Sequence, residues 1–203
     1  MAKEKSHNER EKKGRMSSAD ELILVDLDDQ EIGRGEKMDV HQKGLLHRAF
    51  SVFLFDGDRL LMQRRAAGKY HSALLWANTC CSHPRAGELL LDAAMGRLKL
   101  ECGIENAVLS EAGRFVYRAP FSNGLVEYEV DHVFVGEYAG PFAANPEEAS
   151  EMRFVPLEEL KEDMLRAPEH YAAWFFTALG IAEEYRKAHR GSPSISSCIS
   201  PGI

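Results

Sequence analysis

The segment from Leu125 to Tyr138 constrains the fold of this chain most. Its β-branched and aromatic residues predict a strand, and after Asp131 it is largely apolar. A strand that is apolar on both of its alternating faces lies inside a sheet rather than at the protein surface. We therefore expect a sheet that is covered on both sides by other layers.

Shorter patterns along the chain predict the remaining strands of this sheet. An apolar run around Asp56-Gly57-Asp58 indicates a hairpin of two strands. The predicted strands are Leu22 to Val25, Ala49 to Phe55, Arg59 to Gln63, Arg114 to Arg118 and Met152 to Val155. Their mixture with helices and long connections predicts an α/β (α+β) fold, a mixed-sheet sandwich with helices on its faces, rather than a doubly wound parallel sheet.

Three helices complete the predicted fold. The first spans Glu88 to Cys102 and ends at Gly103, which suits a left-handed cap. Its apolar stripe is Leu91, Ala94, Met95, Leu98 and Cys102. Pro156 opens the second in its first turn, and its predicted buried residues are Leu157, Leu160 and Leu165. The last helix spans roughly Glu169 to His189.

The two ends of the chain differ in composition from its middle. Residues 1–18 are highly charged, and residues 191–203 are rich in Ser, Pro and Gly, so we expect two flexible tails. Residues 19–190 then form a single domain. A chain of 203 residues with 44% hydrophobic residues is long enough for one substantial core.

Composition also limits the partners and the compartment. A formal net charge of -7 and a pI near 5.6 argue against nucleic-acid binding, so any bound phosphate belongs to a small molecule. The charged N-terminus lacks the apolar stretch of a secretory signal or membrane span. Cys80 and Cys81 are neighbours and therefore poor disulfide partners, which favours reduced thiols in the cytoplasm.

Two carboxylates at the start of the central strand indicate chemistry. Side chains two apart on a strand share a face, so Glu127 and Glu129, with Asp131, point into the same space. Converging anions require a cation. A solvated strand face is an equally frequent explanation of this spacing alone, but the apolar flanks Val126, Val130 and Val133 favour a metal site.

Histidines can supply the remaining ligands of such a site. We select His41, His47 and His83, because imidazole and carboxylate donors together suit Mn, Fe, Zn or Mg. The other histidines are interpreted as ordinary polar residues. These are His7, His71, His132, His170 and His189.

Cys81 lies in the compact segment Asn78 to Pro84, two residues before His83. A free cysteine is most often a small buried hydrophobe. Beside a metal-binding histidine, however, its thiol would sit in an electropositive niche that favours proton transfer. A zinc finger is disfavoured, because the chain has no second Cys-x-x-Cys or His-x-x-x-His pair.

Several of these segments together resemble type I isopentenyl-diphosphate isomerase, over about Leu22 to Leu179. The matching motifs are Lys37 to His41, Gly44 to Ser51, Asn78 to Pro84, Tyr117 to Ala119 and Glu127 to Glu129. The resemblance implies a Nudix-like fold. Residues 82–104 resemble a degraded Nudix box that keeps Glu88, Leu98, Glu101, Gly103 and Ile104, but Gly96-Arg97 and Leu100-Glu101 replace the Arg-Glu and Glu-Glu pairs of a Nudix hydrolase.

The resemblance implies a 1,3-proton shift that converts isopentenyl diphosphate into dimethylallyl diphosphate in isoprenoid biosynthesis. Cys81 and Glu129 match the family's acid and base, which act around a tertiary carbocation. Tyr117 would hydrogen-bond near the site of protonation. Trp174 would stabilise the cation through its indole face, by about 2 kcal/mol when desolvated, although core packing alone could also explain a tryptophan there.

The resemblance also implies two ions and a cationic site for the diphosphate. One divalent ion, Mn²⁺ or Zn²⁺, would be held by His41, His47, His83, Glu127 and Glu129. Mg²⁺ would join the diphosphate to Glu101 and the backbone carbonyl of Cys81. The family's basic positions correspond to Lys37, Arg65, Lys69 and Arg97.

The expected partner is therefore a small-molecule diphosphate, without nucleic acid or membrane, and we expect a monomer or weak dimer. Two alternatives remain at this point. One is a Nudix-type diphosphohydrolase, which the altered box disfavours. The other is a non-catalytic protein that binds prenyl diphosphates, which the occupied catalytic positions disfavour.

Overall fold

The computed structural model describes residues 21–189, and both predicted tails lie outside this range. The described residues form nine strands in one sheet, together with four α-helices and a short 3-10 helix. The strands are β1 (Glu21–Val25), β2 (Glu31–Glu36), β3 (His47–Asp56), β4 (Arg59–Arg65), β5 (Trp76–Ala77), β6 (Cys80–Ser82), β7 (Ser110–Pro120), β8 (Val126–Glu137) and β9 (Ala149–Pro156). The α-helices are α1 (Lys37–Lys43), α2 (Leu90–Cys102), α3 (Leu157–Arg166) and α4 (Phe175–His189).

Strand β3 is the centre of the sheet. It pairs with β8 in parallel, from His47 opposite Glu129 to Phe55 opposite Glu137. Its other partners, β1, β4 and β6, are antiparallel. Strand β8 pairs further with β7, and β4 with β5 and β9, all antiparallel. The sheet is thus mixed, and the predicted fold class is confirmed.

The two faces of β3 build two separate parts of the core, because successive side chains point to opposite sides. Phe53 and Phe55 pack with residues of α3 and α4 on one face. Phe50, Val52 and Leu54 pack with α2 on the other. Every one of these five side chains is fully buried. The prediction of a sheet covered by helices on both faces is therefore correct.

Helix α2 ends as predicted but packs slightly differently. Gly103 adopts a left-handed conformation with φ of 67° and caps the helix. Ala94 and Leu98 are buried, whereas Leu91, the first residue of the predicted apolar stripe, is 45% exposed. Ala93 is buried instead, because the helix faces the sheet with a stripe shifted away from Leu91.

The C-terminal helices differ from the prediction in three ways. Leu165 is 87% exposed, because a helix that buries Leu157 and Leu160 presents Met164, four residues further on, to the core. Pro156 ends β9 and precedes α3 rather than lying in its first turn. The predicted last helix is interrupted: a 3-10 helix at Pro168–His170 is followed by four residues without helix before α4 begins.

The sequence analysis does not predict four of the elements, β2, α1, β5 and β6. Helix α1 is capped at both ends, by the Glu36 carboxylate, which accepts from the Asp39 backbone N–H, and by Gly44 in a left-handed conformation. This helix carries His41. Among the described residues, no helix is both long and apolar enough to span a membrane.

Candidate active site

The predicted metal ligands meet at one end of the parallel β3–β8 pair. His47 is the first residue of β3 and lies opposite Glu129 on β8. His83 follows β6, the strand on the other side of β3, and His41 comes from α1. Gly44 allows the chain to turn from α1 toward β3, because its φ of 61° is readily adopted only by glycine.

These side chains form a compact, buried group, which we call the imidazole–carboxylate cluster (His41, His47, His83, Glu127 and Glu129). Ligand atoms of His41, His47, His83 and Glu127 all lie within 4.8 Å of one another. Glu129 adjoins them, with its Oε1 atom 2.8 Å from His83 Nε2 and 3.5 Å from His47 Nε2. The structure therefore brings together all five predicted ligands.

The backbone fixes how two of the imidazoles face the cluster. His41 Nδ1 lies 2.5 Å from the carbonyl oxygen of Lys37, and His47 Nδ1 lies 2.9 Å from that of Leu45. A carbonyl oxygen only accepts hydrogen bonds, so each Nδ1 carries a proton. Both rings consequently direct Nε2 into the cluster, as histidines do when the other ring nitrogen is held by an outer partner and Nε2 binds a metal.

The pKa values of the cluster's side chains show that its two carboxylates favour a nearby positive charge. Burial opposes the charged form of His47, but its contacts with the carboxylates of Glu127 and Glu129 outweigh burial and raise its pKa to about 10. Burial lowers the pKa of His83 to about 4. The carboxyl groups of Glu127 and Glu129 are also buried, yet their contacts with the histidines hold both pKa values below the usual range. The two carboxylates thus stay ionised, and His47 keeps its proton beside them.

The donor set fits a divalent ion. Glu127 Oε2 is buried without a hydrogen-bond partner, 3.4 Å from His47 Nε2. An unpaired buried carboxylate oxygen is costly, and an ion would supply its missing partner. Three imidazoles and carboxylate oxygens suit a transition metal such as Mn²⁺ or Zn²⁺ better than the all-oxygen shell of Mg²⁺.

Cys81 is placed beside this cluster by β6. Its backbone pairs with Ser51 in β3, and its Sγ lies 3.8 Å from Nη1 of Arg65. Burial raises the pKa of Cys81 to about 12 although Arg65 opposes the shift, so the thiol keeps its proton at neutral pH. The neighbouring Cys80 is fully buried in the core on the α2 side.

Tyr117 and Trp174 complete the wall around Cys81 and Glu129. Tyr117 donates a 2.7 Å hydrogen bond to Glu129 Oε2. Trp174 is held by a 3.0 Å hydrogen bond from its indole N–H to Asn78 Oδ1, and Arg65 lies 5.3 Å from the centroid of its ring. The indole is therefore fixed in orientation as well as buried.

The four predicted basic residues, Lys37, Arg65, Lys69 and Arg97, line the same cavity as Cys81 and Glu129. Burial lowers the pKa of Lys37. Arg97 is held by Glu101, the residue expected to bind Mg²⁺, at 2.9 Å from Nε to Oε1. Glu148, which the sequence analysis did not identify, pairs with both Lys69 and Arg97.

The cavity consists of a narrow part and a wider groove beside it. Its narrow part, of about 60 Å³, is lined by Cys81, Glu129, Tyr117 and Trp174 together with the four basic residues. A wider groove of about 520 Å³ adjoins it and shares Lys37, Ser82, His83 and Arg97 with it. Aromatic and cationic side chains therefore line the narrow part together, and Lys37 and Arg97 also border the groove.

Two further residues that sequence reasoning missed contact the cluster. His71, interpreted above as an ordinary polar residue, has its Nε2 atom 2.6 Å from Glu127 Oε1. The Tyr70 hydroxyl lies 3.4 Å from His41 Nε2. Both belong to the connection that follows β4 and also carries Lys69. Their position next to Lys69 in the sequence is the signal that could have identified them as site residues.

Comparison with solved structures supports the fold. A Deinococcus radiodurans protein, DR0079, superposes with a TM-score of 0.63 at 18% identity, covering 82% of this chain and 99% of that one. A MutT protein from Methanosarcina mazei gives a TM-score of 0.56 at 17% identity, covering 71% and 96%. At these identities the likeness concerns the fold alone.

Sequence comparison identifies the family. The NUDIX domain model matches residues 45–175. Isopentenyl-diphosphate Delta-isomerase 2 of Aromatoleum aromaticum is 50% identical over 161 residues, which cover 79% of this chain and 85% of the relative. The isopentenyl-diphosphate Delta-isomerase of Burkholderia multivorans is 46% identical, covering 83% and 98%. The chain therefore belongs to the Nudix family and, within it, to the isopentenyl-diphosphate Delta-isomerases.

Proposed function

We propose that the protein interconverts isopentenyl diphosphate and dimethylallyl diphosphate by a 1,3-proton shift, with Cys81 and Glu129 as the acid and base. The reaction adds a proton to one carbon of the alkene and removes a proton from another. Two protic groups are therefore needed at one small hydrocarbon. The proposal rests first on the placement of these two side chains.

Cys81 and Glu129 come from strands on opposite sides of β3. Ser51 pairs with Cys81 of β6 on one side and with Val133 of β8 on the other. Neighbouring strands lie about 4.8 Å apart, so the backbones of β6 and β8 are separated by roughly 10 Å. Both side chains line the narrow part of the cavity. A five-carbon group between them could exchange protons with each.

The charge states of the pair suit this role. The thiol of Cys81 is protonated, and the Glu129 carboxylate is ionised while it accepts a hydrogen bond from Tyr117. The pair thus holds one proton that can be given and one site that can receive a proton. Transfer in either direction leaves the pair ready for the reverse reaction.

The surroundings protect a cationic intermediate. Trp174 and Tyr117 present aromatic rings beside Cys81, and the ring centroids of the two lie 6.3 Å apart. An aromatic face stabilises a desolvated cation by about 2 kcal/mol, and the buried position excludes water that would trap it as an alcohol. Trp174 therefore serves as the electron-rich wall.

Cations near the groove would bind the diphosphate. Arg65 and Arg97 offer guanidinium groups that pair with two oxygens at once, while Lys37 and Lys69 add point charges. Glu101, with the Cys81 carbonyl, would hold Mg²⁺ on the diphosphate. The imidazole–carboxylate cluster would hold the second divalent ion, which when bound would fix the Glu129 carboxylate and tune its acidity.

Proton NMR in deuterated water tests the proposal. Isopentenyl diphosphate incubated with the protein, Mg²⁺ and Mn²⁺ should yield dimethylallyl diphosphate that contains deuterium, with the Mn²⁺ removed by a chelator before the spectra are recorded. Cys81→Ala should lower the rate by about 10²-fold to 10⁴-fold. Near-normal turnover of this variant would contradict the assigned pair, and release of pyrophosphate or phosphate without isomerisation would favour a hydrolase.

Cys80→Ala is the matched control for this experiment. Cys80 is a neighbouring thiol that packs on the α2 side of the sheet and does not line the cavity. Its substitution should leave the isomerisation rate within a few-fold of the wild-type value. Equal losses in the two variants would indicate that disturbance of β6, rather than loss of the Cys81 thiol, causes the effect.

A further inference from the structure

His71 is a buried titratable group at the site that the proposed mechanism does not use. It is 7% exposed and lines the cavity. Its Nε2 atom lies 2.6 Å from Glu127 Oε1, a shorter contact than the 3.0 Å between His41 Nε2 and the same oxygen. Two imidazoles thus converge on one carboxylate oxygen, and the other oxygen, Oε2, has no partner.

The two imidazoles differ in which ring nitrogen carries the proton. His41 holds a proton on Nδ1, against the Lys37 carbonyl, which leaves its Nε2 available to bind a metal. His71 Nδ1 instead lies 3.2 Å from the Ser72 hydroxyl, which can donate to it. A carboxylate oxygen only accepts hydrogen bonds, so the 2.6 Å contact with Glu127 Oε1 places the proton of His71 on Nε2. His71 therefore donates to Glu127 Oε1.

From this geometry we propose that His71 is a positioning residue for the metal centre: its Nε2–H binds Glu127 Oε1 and thereby presents Oε2 to the ion. The inference rests on the metal centre of the proposed function and adds a member that is not itself a ligand. A carboxylate that is anchored through one oxygen loses the freedom to rotate away, so the ion meets a prepared donor.

The His71 ring is itself held firmly, as a positioning group must be. It stacks on Phe121 with ring centroids 4.5 Å apart and planes inclined by 16°. It meets the Trp174 ring edge to face at 6.0 Å. The backbone carbonyl of His71 also accepts a hydrogen bond of 3.4 Å from Arg65. The same residue consequently links the metal centre to the aromatic wall and to a diphosphate-binding arginine.

Two substitutions separate the hydrogen bond from the aromatic packing. His71→Phe keeps a ring against Phe121 but removes the donor, whereas His71→Gln removes the ring and keeps an N–H near the Nε2 position. Loss of an outer partner of a metal ligand usually lowers metal affinity 10-fold to 100-fold. We expect the dissociation constant for Mn²⁺ to rise by that factor in His71→Phe and to remain within a few-fold of wild type in His71→Gln.

The readout is the electron paramagnetic resonance signal of free Mn²⁺ during titration of the protein, without substrate. Circular dichroism confirms that each variant is folded. His132→Phe is the matched control, because His132 is also a buried histidine between carboxylates but lies outside the cavity. Unchanged Mn²⁺ binding in His71→Phe, beside normal wild-type binding, would overturn this inference alone, while a wild type that binds no Mn²⁺ would overturn the metal centre as well.

A measurement on the wild-type protein tests the same point without any substitution. Nitrogen-15 NMR of the imidazoles should show a proton on Nε2 of His71. On addition of the diamagnetic ion Zn²⁺, the Nε2 resonances of His41 and His47 should shift to values typical of metal-bound nitrogen, while His71 keeps its proton. A metal-bound Nε2 at His71 would make it a ligand and refute the positioning role.

Discussion

Strand β8 carries two histidine–carboxylate clusters, one on each of its faces. The imidazole–carboxylate cluster lies on the face of Glu127 and Glu129. On the opposite face, His132 contacts Asp29 at 2.9 Å and Glu111 at 2.7 Å. This second group also contains arginines, and we call it the arginine-paired cluster (Asp29, Arg48, Glu111, Arg114 and His132).

The two clusters differ in how their negative charge is balanced. Asp29 accepts from Arg48 at 2.7 Å and from Arg114 at 3.2 Å, and none of the cluster's polar atoms is among the buried unpartnered atoms of the described residues. In the other cluster Glu127 Oε2 is unpartnered, and no arginine or lysine pairs with either glutamate in the part of the chain that the structure describes. Buried histidines and carboxylates alone therefore do not identify a functional site. The feature that identifies the functional site is a buried carboxylate that lacks a positively charged partner.

The largest expected effect comes from a change within the imidazole–carboxylate cluster. Glu129→Gln removes the carboxylate that accepts from Tyr117 and contacts His83 but keeps the side-chain shape. The isomerisation rate should fall by about 10²-fold to 10⁴-fold, because an amide cannot exchange the proton. Initial rates of dimethylallyl diphosphate formation measure the loss.

Glu111→Gln provides the control for that variant. It makes the same substitution in the arginine-paired cluster, at a carboxylate that also contacts a histidine. The rate should stay within two-fold to three-fold of wild type, since Glu111 does not line the cavity. A comparable loss of activity in both variants would remove the functional distinction between the clusters.

Substitutions in the arginine-paired cluster should affect the stability of the fold more than the isomerisation rate. Asp29→Ala removes the acceptor shared by Arg48, Arg114 and His132 and forces alanine into a left-handed conformation, with φ of 67°. We expect the free energy of unfolding to fall by about 3 kcal/mol in chemical denaturation. Asp29→Asn, which tolerates that conformation and keeps an acceptor, should cost clearly less. A neutral Asp29→Ala would show that this cluster does not stabilise the fold.

The sequence predicted which side chains meet in the imidazole–carboxylate cluster better than it predicted their surroundings. Glu127 and Glu129 share a face through the period of a strand, and that rule holds wherever a strand forms. His71 could not be found in this way, because it lies in an irregular connection whose path depends on tertiary contacts. The prediction that Leu165 is buried is wrong because residue type favours leucine at a core position. Helical spacing from Leu160 favours Met164, which packs against the core instead.

The clusters should also differ in their response to pH. His47 has its pKa raised to about 10 in the folded protein, against an ordinary value of 6.5, so its contribution to stability is complete below pH 6.5 and is lost as the pH rises toward 10. Without metal, the free energy of unfolding should fall by about 1.4 kcal/mol for each pH unit between 7 and 8.5. Urea denaturation at several pH values measures this slope.

Two variants test whether the pH dependence of the free energy of unfolding comes from the imidazole–carboxylate cluster. His47→Gln should flatten it, because the residue that keeps its proton on folding is gone. Asp29→Asn should lower the stability by the same amount at every pH in this range and leave the slope unchanged. A slope that survives in His47→Gln would mean that another group takes up the proton, and the charge balance described for the imidazole–carboxylate cluster would then be wrong.

The smallest expected effect distinguishes two arginines within the arginine-paired cluster. The Arg114 side chain is 49% exposed and that of Arg48 is 19% exposed, although both contact Asp29. An exposed ion pair contributes about 0.2–1 kcal/mol, so Arg114→Ala should lower the free energy of unfolding by no more than that. Arg48 also donates a 2.5 Å hydrogen bond to the Asp29 carbonyl, and Arg48→Ala should therefore cost more. Denaturation at low and high salt checks the order, since salt should reduce the Arg114 contribution more than that of Arg48. The reverse order would mean that burial does not set the strength of these pairs.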